Sequence, residues 1–179
     1  VFEAILAISF FWAVGTVLFI QFPPLAKNVL HASKEVASLF LVIFSVGIAI
    51  GSVSINALLK GKVSARYSAP SVLFMGLFVV GFYFVCRAWS AEEGSAILNT
   101  ADFIAQPMAI PLLATLLGIA ISGGMFVVPL YAFLTTFVDK SQTARTIAAN
   151  NIVNSGAMVI GSALAFALTA TGFTSTTLL

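Results

Sequence analysis

The chain is poor in charge, and this scarcity excludes whole classes of protein. Of its 179 residues, 8 are Lys or Arg, 6 are Asp or Glu, and 60% are hydrophobic. A soluble domain has roughly 25% charged residues, so a chain with 8% cannot form a water-soluble surface. The formal net charge of +2 is also too small to indicate a nucleic-acid partner.

Cysteine and histidine are scarce as well. Cys86 is the single cysteine, which excludes an intrachain disulfide and a metal site built from several cysteines, and His31 is the single histidine. Motifs of metalloproteases, serine hydrolases and ATP-driven proteins are missing. We therefore expect no metal, no cofactor and no enzymatic activity within this segment.

Five long apolar stretches make up most of the chain, and every charged side chain lies outside them. Each stretch is long enough, at about 1.5 Å rise per residue, to cross a hydrocarbon core of roughly 30 Å as a helix. The predicted fold class is all-α, a polytopic membrane helical bundle that forms one transmembrane domain over residues 1–179. Its predicted helices cover residues 4–22, 36–59, 67–86, 107–138 and 146–170.

Lys and Arg in short loops mark the cytoplasmic face of a membrane protein, so the loops predict an orientation. One face carries Lys60, Lys62, Arg66, Lys140 and Arg145, and the other carries Lys27, Lys34 and Arg87. The larger group predicts that these loops and the N-terminus of the segment are cytoplasmic. The odd number of spans and the lack of an initiator Met predict further sequence on both sides.

The first stretch predicts where its helix ends, and the third predicts what surrounds its helix. The pair Pro23 and Pro24 predicts that the first helix ends at Phe22, because proline cannot donate the next backbone hydrogen bond. A short turn over residues 25–30 would follow at the membrane interface. The third stretch has no polar residue at its centre, which predicts a supporting helix that faces lipid.

Small residues in the second stretch predict close helix packing. Gly47 and Gly51 form a GxxxG pair on one helix face. In lipid, small residues promote association because they allow two backbones to approach. The alternative is the general enrichment of glycine in membrane helices.

The fourth stretch, residues 107–138, is unusually long. As a straight helix it would measure about 48 Å, so we expect it to tilt, bend or break. Gly123, Gly124 and Pro129 lie near its middle and weaken the helix there. These residues are candidates for a bending or gating point, and a static kink is the alternative.

Amide and indole side chains are few within the apolar stretches, which makes them candidates for function. Trp12 and Gln21 lie in the first stretch, and Asn150 and Asn154 lie four residues apart on one face of the fifth. Amides are unfavourable in hydrocarbon, so they should face protein or a water-filled cavity. Hydrogen bonding between helices and lining of a substrate cavity both fit this pattern.

None of the predicted helices contains Asp, Glu, Lys, Arg or His. A proton relay needs a titratable group at membrane depth, so these helices cannot supply one themselves. Any ion coupling must then come from other sequence.

Several residue strings resemble the major facilitator superfamily of transporters. Ile8–Trp12 with Gly15, Gln21–Pro23 and Phe44–Ser52 are similar to its seventh and eighth helices. Gly123–Tyr131 and Ala144–Asn154 are similar to its tenth and eleventh. The resemblance is greatest to the lysophospholipid transporter group, which includes members fused to acyltransferase and acyl-carrier synthetase domains.

The resemblance implies that the chain holds helices seven to eleven of twelve, in the C-terminal lobe of a bacterial inner-membrane protein. Its partners would be the lipid bilayer, the missing N-terminal lobe, the last helix and a small amphiphilic substrate. In this superfamily helices seven, eight, ten and eleven line the central cavity, and the ninth is peripheral. The loop at Lys60-Gly61-Lys62 departs from the family pattern, which has an acidic residue before a Gly-Arg pair.

The function implied by the resemblance is secondary transport of lysophospholipid by alternating access, across or between the leaflets of the membrane. One alternative is uptake or efflux of a drug or a small metabolite. Another is a non-transporting membrane assembly subunit that uses the Gly47 and Gly51 face. Fused enzyme domains would lie outside this segment.

Overall fold

Long apolar runs form long helices, because a helix satisfies its own backbone hydrogen bonds in a medium without water. The computed structural model describes residues 1–89 and 96–171. Its elements are α1 (Phe2–Pro24), a π-helical turn (Leu25–Val29), α2 (Lys34–Leu59), α3 (Ser68–Ala88), α4 (Thr100–Ile104), α5 (Ala109–Thr136) and α6 (Thr143–Ala170). Within these residues there is no strand, and five helices are long and apolar enough to cross a membrane. The predicted all-α membrane bundle is confirmed.

The prediction that α1 ends at Phe22 is wrong. The helix continues through Pro24, which has φ −65° and ψ −33°, because the fixed φ of proline is helical and only its donor is lost. The chain then widens, and the Leu30 N–H donates to the carbonyl of Leu25, five residues back, at 3.1 Å. Burial of Leu25 and Leu30, both 0% exposed, stabilises this turn against the bundle.

The helices form two groups that meet along α1 and α5. Helix α5 packs against α2 and α3, whereas α6 packs mainly against α1. Buried residues make up 56% of the most apolar 18-residue segment of α5 and only 11% of that of α6. Helix α5 is therefore central in the bundle and α6 peripheral. Helix α3 exposes large apolar side chains such as Leu73, Phe74 and Leu77.

Helices α2 and α5 cross at glycines and run parallel. A Cβ atom at Gly51 would overlap the backbone oxygen of Ile121, and one at Gly124 would lie 2.6 Å from the backbone oxygen of Ile48. At Gly47 it would overlap the Cβ of Ala120. Later residues of α2 meet later residues of α5, so both helices end on the same side of the bundle.

We call the side where α2 and α5 end the basic end, because its loops and the first turn of α6 carry five exposed basic residues. They are Lys60, Lys62, Arg66, Lys140 and Arg145, within residues 60–67 and 137–145. Lys60 has φ +51° and Gly61 has φ +72°, and this left-handed turn ends α2. The Arg66 guanidinium lies 5.5 Å from the ring centroid of Tyr67.

The opposite end of the bundle is closed by two connections that pair with each other. The Leu98 N–H donates to the carbonyl of His31 at 2.8 Å, and the Ser33 N–H donates to the carbonyl of Leu98 at 2.9 Å. Helix α4, which the sequence pattern did not reveal, begins beside this bridge. Its Phe103 is 0% exposed and stacks on Trp89 with the ring centroids 5.3 Å apart.

Helix α5 runs unbroken through Gly123, Gly124 and Pro129. The expectation was that this helix tilts, bends or breaks, and the structure excludes the break. Its 28 residues span about 42 Å, so it is still longer than the hydrocarbon core. A Cβ at Gly123 would lie 2.8 Å from the ring of Phe11, which shows that this glycine makes room for α1. Bending at these residues stays a prediction.

Candidate functional site

Four polar side chains from three helices form one hydrogen-bond network inside the bundle. The Trp12 Nε1–H donates to the Tyr131 hydroxyl oxygen at 2.9 Å, and the Asn154 Nδ2–H donates to the same oxygen at 3.2 Å. The Ser9 hydroxyl donates to Asn154 Oδ1 at 2.6 Å. The network therefore joins α1, α5 and α6 through side chains alone.

Helix geometry explains how the sequence brings these groups together. Ser9 and Trp12 are three residues apart and share one face of α1. At about 1.5 Å per residue, the four groups lie roughly 8–17 Å inward from the basic end. Such bonds stabilise a membrane protein by only roughly 0.6–2 kcal/mol each, because the separated groups also find other partners in the membrane.

Asn150 lies one helical turn from Asn154, nearer the basic end, and is the most deeply buried polar side chain of the described residues. It is 1% exposed. Neither its Oδ1 nor its Nδ2 has a hydrogen-bond partner within residues 1–89 and 96–171. A buried polar group without a partner costs about 1–3 kcal/mol, so this amide opposes the conformation in which it is found.

The four candidate cavity residues thus fall into three groups. Trp12 and Asn154 meet in the network, and Asn150 lies beside them without a partner. Gln21 is buried at 4% exposure, but it lies nine residues beyond Trp12 on α1, roughly 14 Å along the axis, and does not join them.

Sequence reasoning missed Ser9 and Tyr131, which complete the network. A signal for Ser9 existed, since it precedes Trp12 by three residues and so shares its helix face. Tyr131 follows Pro129 in a helix that is otherwise apolar at this depth, and a buried tyrosine hydroxyl usually has a hydrogen-bond partner. Neither residue is charged or carries an amide, so neither has the high cost in hydrocarbon that marks such side chains in a sequence.

An apolar groove of about 680 Å³ runs beside the network. Its walls come from α1, α3 and α6, and Ile119 of α5 lies at its floor. The lining residues are Leu6, Ser9, Phe10, Ala13, Val14, Val17, Leu18, Met75, Val79, Phe82, Ile119, Val153, Ala157, Ile160, Gly161, Leu164, Ala165 and Leu168. Ser9 is the single polar residue of this set, and its hydroxyl is bound to Asn154. The groove and the network therefore meet at Ser9.

The side chains of the network are hydrogen-bonding groups that carry no carboxylate, imidazole or thiol. Among the described residues, no group of three or more His, Cys, Asp or Glu side chains could hold a metal ion. The network consists of two hydroxyls, an indole and an amide, all of them neutral. The arrangement can accept and donate hydrogen bonds beside an apolar surface, which suits binding of a molecule with a polar and an apolar part.

Comparison with known proteins adds no relative to this picture. No protein-family model matches the chain, and no curated protein or solved structure matches it. The likeness to the major facilitator superfamily therefore rests on the quoted residue strings.

Proposed function

We propose that this chain is part of a secondary transporter of the major facilitator kind. It moves an amphiphile, a lysophospholipid, across or between the leaflets of the bacterial inner membrane by alternating access. The observation that carries the proposal is the position of Ser9, which lines the apolar groove and belongs to the polar network. A molecule with an apolar tail and a polar group could contact both surfaces at once.

The dimensions of the groove suit a single acyl chain. On α1 its lining runs from Leu6 to Leu18, which is about 18 Å along the helix axis. One leaflet of the hydrocarbon core is roughly 15 Å thick, half of the whole core. An acyl chain that spans one leaflet would therefore fit along the groove, and its volume lies within the usual range for small-molecule sites.

The neutral network favours the uncharged part of the headgroup. Hydroxyl, indole and amide groups bind glycerol and ester oxygens, whereas a phosphate would require Arg or Lys. Within residues 1–89 and 96–171, no charged side chain hydrogen-bonds to the network, so a charged headgroup would be bound by the N-terminal lobe of the full protein.

Within this proposal, the N-terminal lobe and the last helix of the same protein complete the transporter. The basic end is then cytoplasmic, in agreement with the excess of Lys and Arg in its loops. The lobe rocks against its partner, and α5 bends near Gly123, Gly124 and Pro129. Coupling to an ion is left to the rest of the protein, because these five helices hold no Asp, Glu, Lys, Arg or His at membrane depth.

Filling the groove should abolish transport of the amphiphile. Ala157 lines the groove, so Ala157→Phe places a ring where the acyl chain would lie. In proteoliposomes of the full-length protein, we expect flipping of a fluorescent lysophospholipid to fall about tenfold, equivalent to about 1.4 kcal/mol. The matched control is Ala163→Phe, since Ala163 is exposed on the same helix outside the groove.

Two results of this assay would contradict the proposal. Equal flipping by Ala157→Phe and by the unchanged protein would exclude the groove as the tail site. No flipping by the unchanged protein, together with efflux of a small polar solute or a drug, would assign the transporter a different cargo.

The assembly-subunit hypothesis is less favoured by the structure. Gly47 and Gly51 contact α5 of the same chain, so this face is not available to a second protein.

A further inference from the structure

The amide of Asn150 is the one buried polar side chain in the membrane-spanning part of α6 that the network leaves out. Both of its polar atoms are inaccessible to solvent and lack a partner among the described residues. A water molecule cannot supply the missing bonds in this packing, because a water large enough to bind would expose some of the amide surface. The missing partner must therefore enter after α6 separates locally from its neighbours.

We infer that Asn150 is a binding contact for a hydroxyl group that enters between α6 and its neighbours α1 and α5. A carboxamide presents two donors and one acceptor, and a hydroxyl can complement either side. The inference rests on the proposed function, because a substrate that binds beside the network has to enter between these helices. It goes further than the proposed function because it assigns to Asn150 the binding of a hydroxyl group that cannot reach this amide in the closed conformation.

Position and packing support an opening at this place. Asn150 lies seven residues from the start of α6 at the basic end, roughly 10 Å inward. Helix α6 has the least buried apolar window of the five long helices and contacts α5 only slightly. Separation of α6 from α5 at the basic end thus disturbs few contacts.

The hydroxyl can come from water or from the glycerol part of a lysophospholipid. Both sources offer the same donor and acceptor, and both explain why the amide is retained in an apolar environment. The two sources differ in one respect, since only the lipid would shield position 150 when it is added.

The first test measures the sign of a stability change. Asn150→Ala removes an amide that opposes the closed conformation, so we expect the thermal midpoint of the full-length protein in detergent to rise by about 2–4 °C. Asn154→Ala removes bonds to Ser9 and Tyr131 and should lower the midpoint by a similar amount. Asn151→Ala is the control, because Asn151 is exposed. A fall for Asn150→Ala equal to that for Asn154→Ala would overturn the inference.

The second test measures whether position 150 opens to water. In a background with Cys86→Ala, Asn150→Cys should react with a water-soluble thiol reagent at least about tenfold faster than Ile55→Cys. Ile55 is 0% exposed and lies on α2, which does not pack on α6. Equal rates at the two positions would overturn the inference.

Addition of a lysophospholipid to the same Asn150→Cys protein identifies the source of the hydroxyl. Protection from the reagent assigns the site to the lipid, and an unchanged rate assigns it to water; either result agrees with an opening at Asn150. Failure of the proposed function is seen separately, as absence of lysophospholipid flipping by the unchanged protein while position 150 still reacts.

Discussion

Gly51→Ala is expected to destabilise the protein by about 3 kcal/mol or to prevent its folding. The new methyl group would overlap the backbone oxygen of Ile121, and a backbone atom cannot move aside as a flexible side chain can. Separation of α2 from α5 would relieve the overlap but would remove the contact on which the centre of the bundle depends. The free energy of unfolding in mixed detergent micelles, together with the yield of folded protein, measures the effect.

The control for this substitution is Gly76→Ala. An added Cβ at Gly76 has no neighbour within 4 Å, although the glycine also lies within a membrane-spanning helix. We expect no loss there, because alanine has a higher helix propensity than glycine. Equal stability of the two variants would show that α2 and α5 do not approach as closely as described.

Tyr131→Phe is expected to lower transport roughly thirtyfold, equivalent to about 2 kcal/mol. Its hydroxyl oxygen accepts hydrogen bonds from both Trp12 and Asn154, so its removal leaves two donors without an acceptor. Each such donor costs about 1–3 kcal/mol when buried. Flipping of lysophospholipid in proteoliposomes and the thermal midpoint should fall together.

Tyr83→Phe is the matched control for the loss of this hydroxyl. The Tyr83 hydroxyl accepts a bond from the Arg87 guanidinium at 3.3 Å in an exposed position, where water can replace it. Transport should be unchanged in that variant. A network without a role in transport would instead give a Tyr131→Phe protein of lower stability and normal flipping.

The long helices could be predicted from the sequence because their signal is simple. An uninterrupted apolar run as long as a bilayer is wide can form little other than a helix. Each end of the five predicted helices lies within three residues of the corresponding end in the structure. The path after Phe22 could not be predicted in the same way. Its π-helical turn depends on burial of Leu25 and Leu30, which is a property of the packed bundle.

The candidate site was only half predictable for a related reason. An amide within apolar sequence has a high energetic cost in hydrocarbon, and this cost led to Asn150 and Asn154. Serine and tyrosine give no such signal, since Ser9 could have bonded to its own helix and Tyr131 could have faced the interface. Which polar groups meet is decided by the packing of α1, α5 and α6, and helix periodicity within one segment does not contain that information.

The bridge between His31, Ser33 and Leu98 has a consequence for sequence variation. Its two hydrogen bonds use main-chain atoms, so most side-chain replacements at these positions would leave them intact. Proline at residue 33 or 98 is the exception, because it removes the donor. The connections at this end can therefore diverge widely in sequence and still hold the four helices they link in one register.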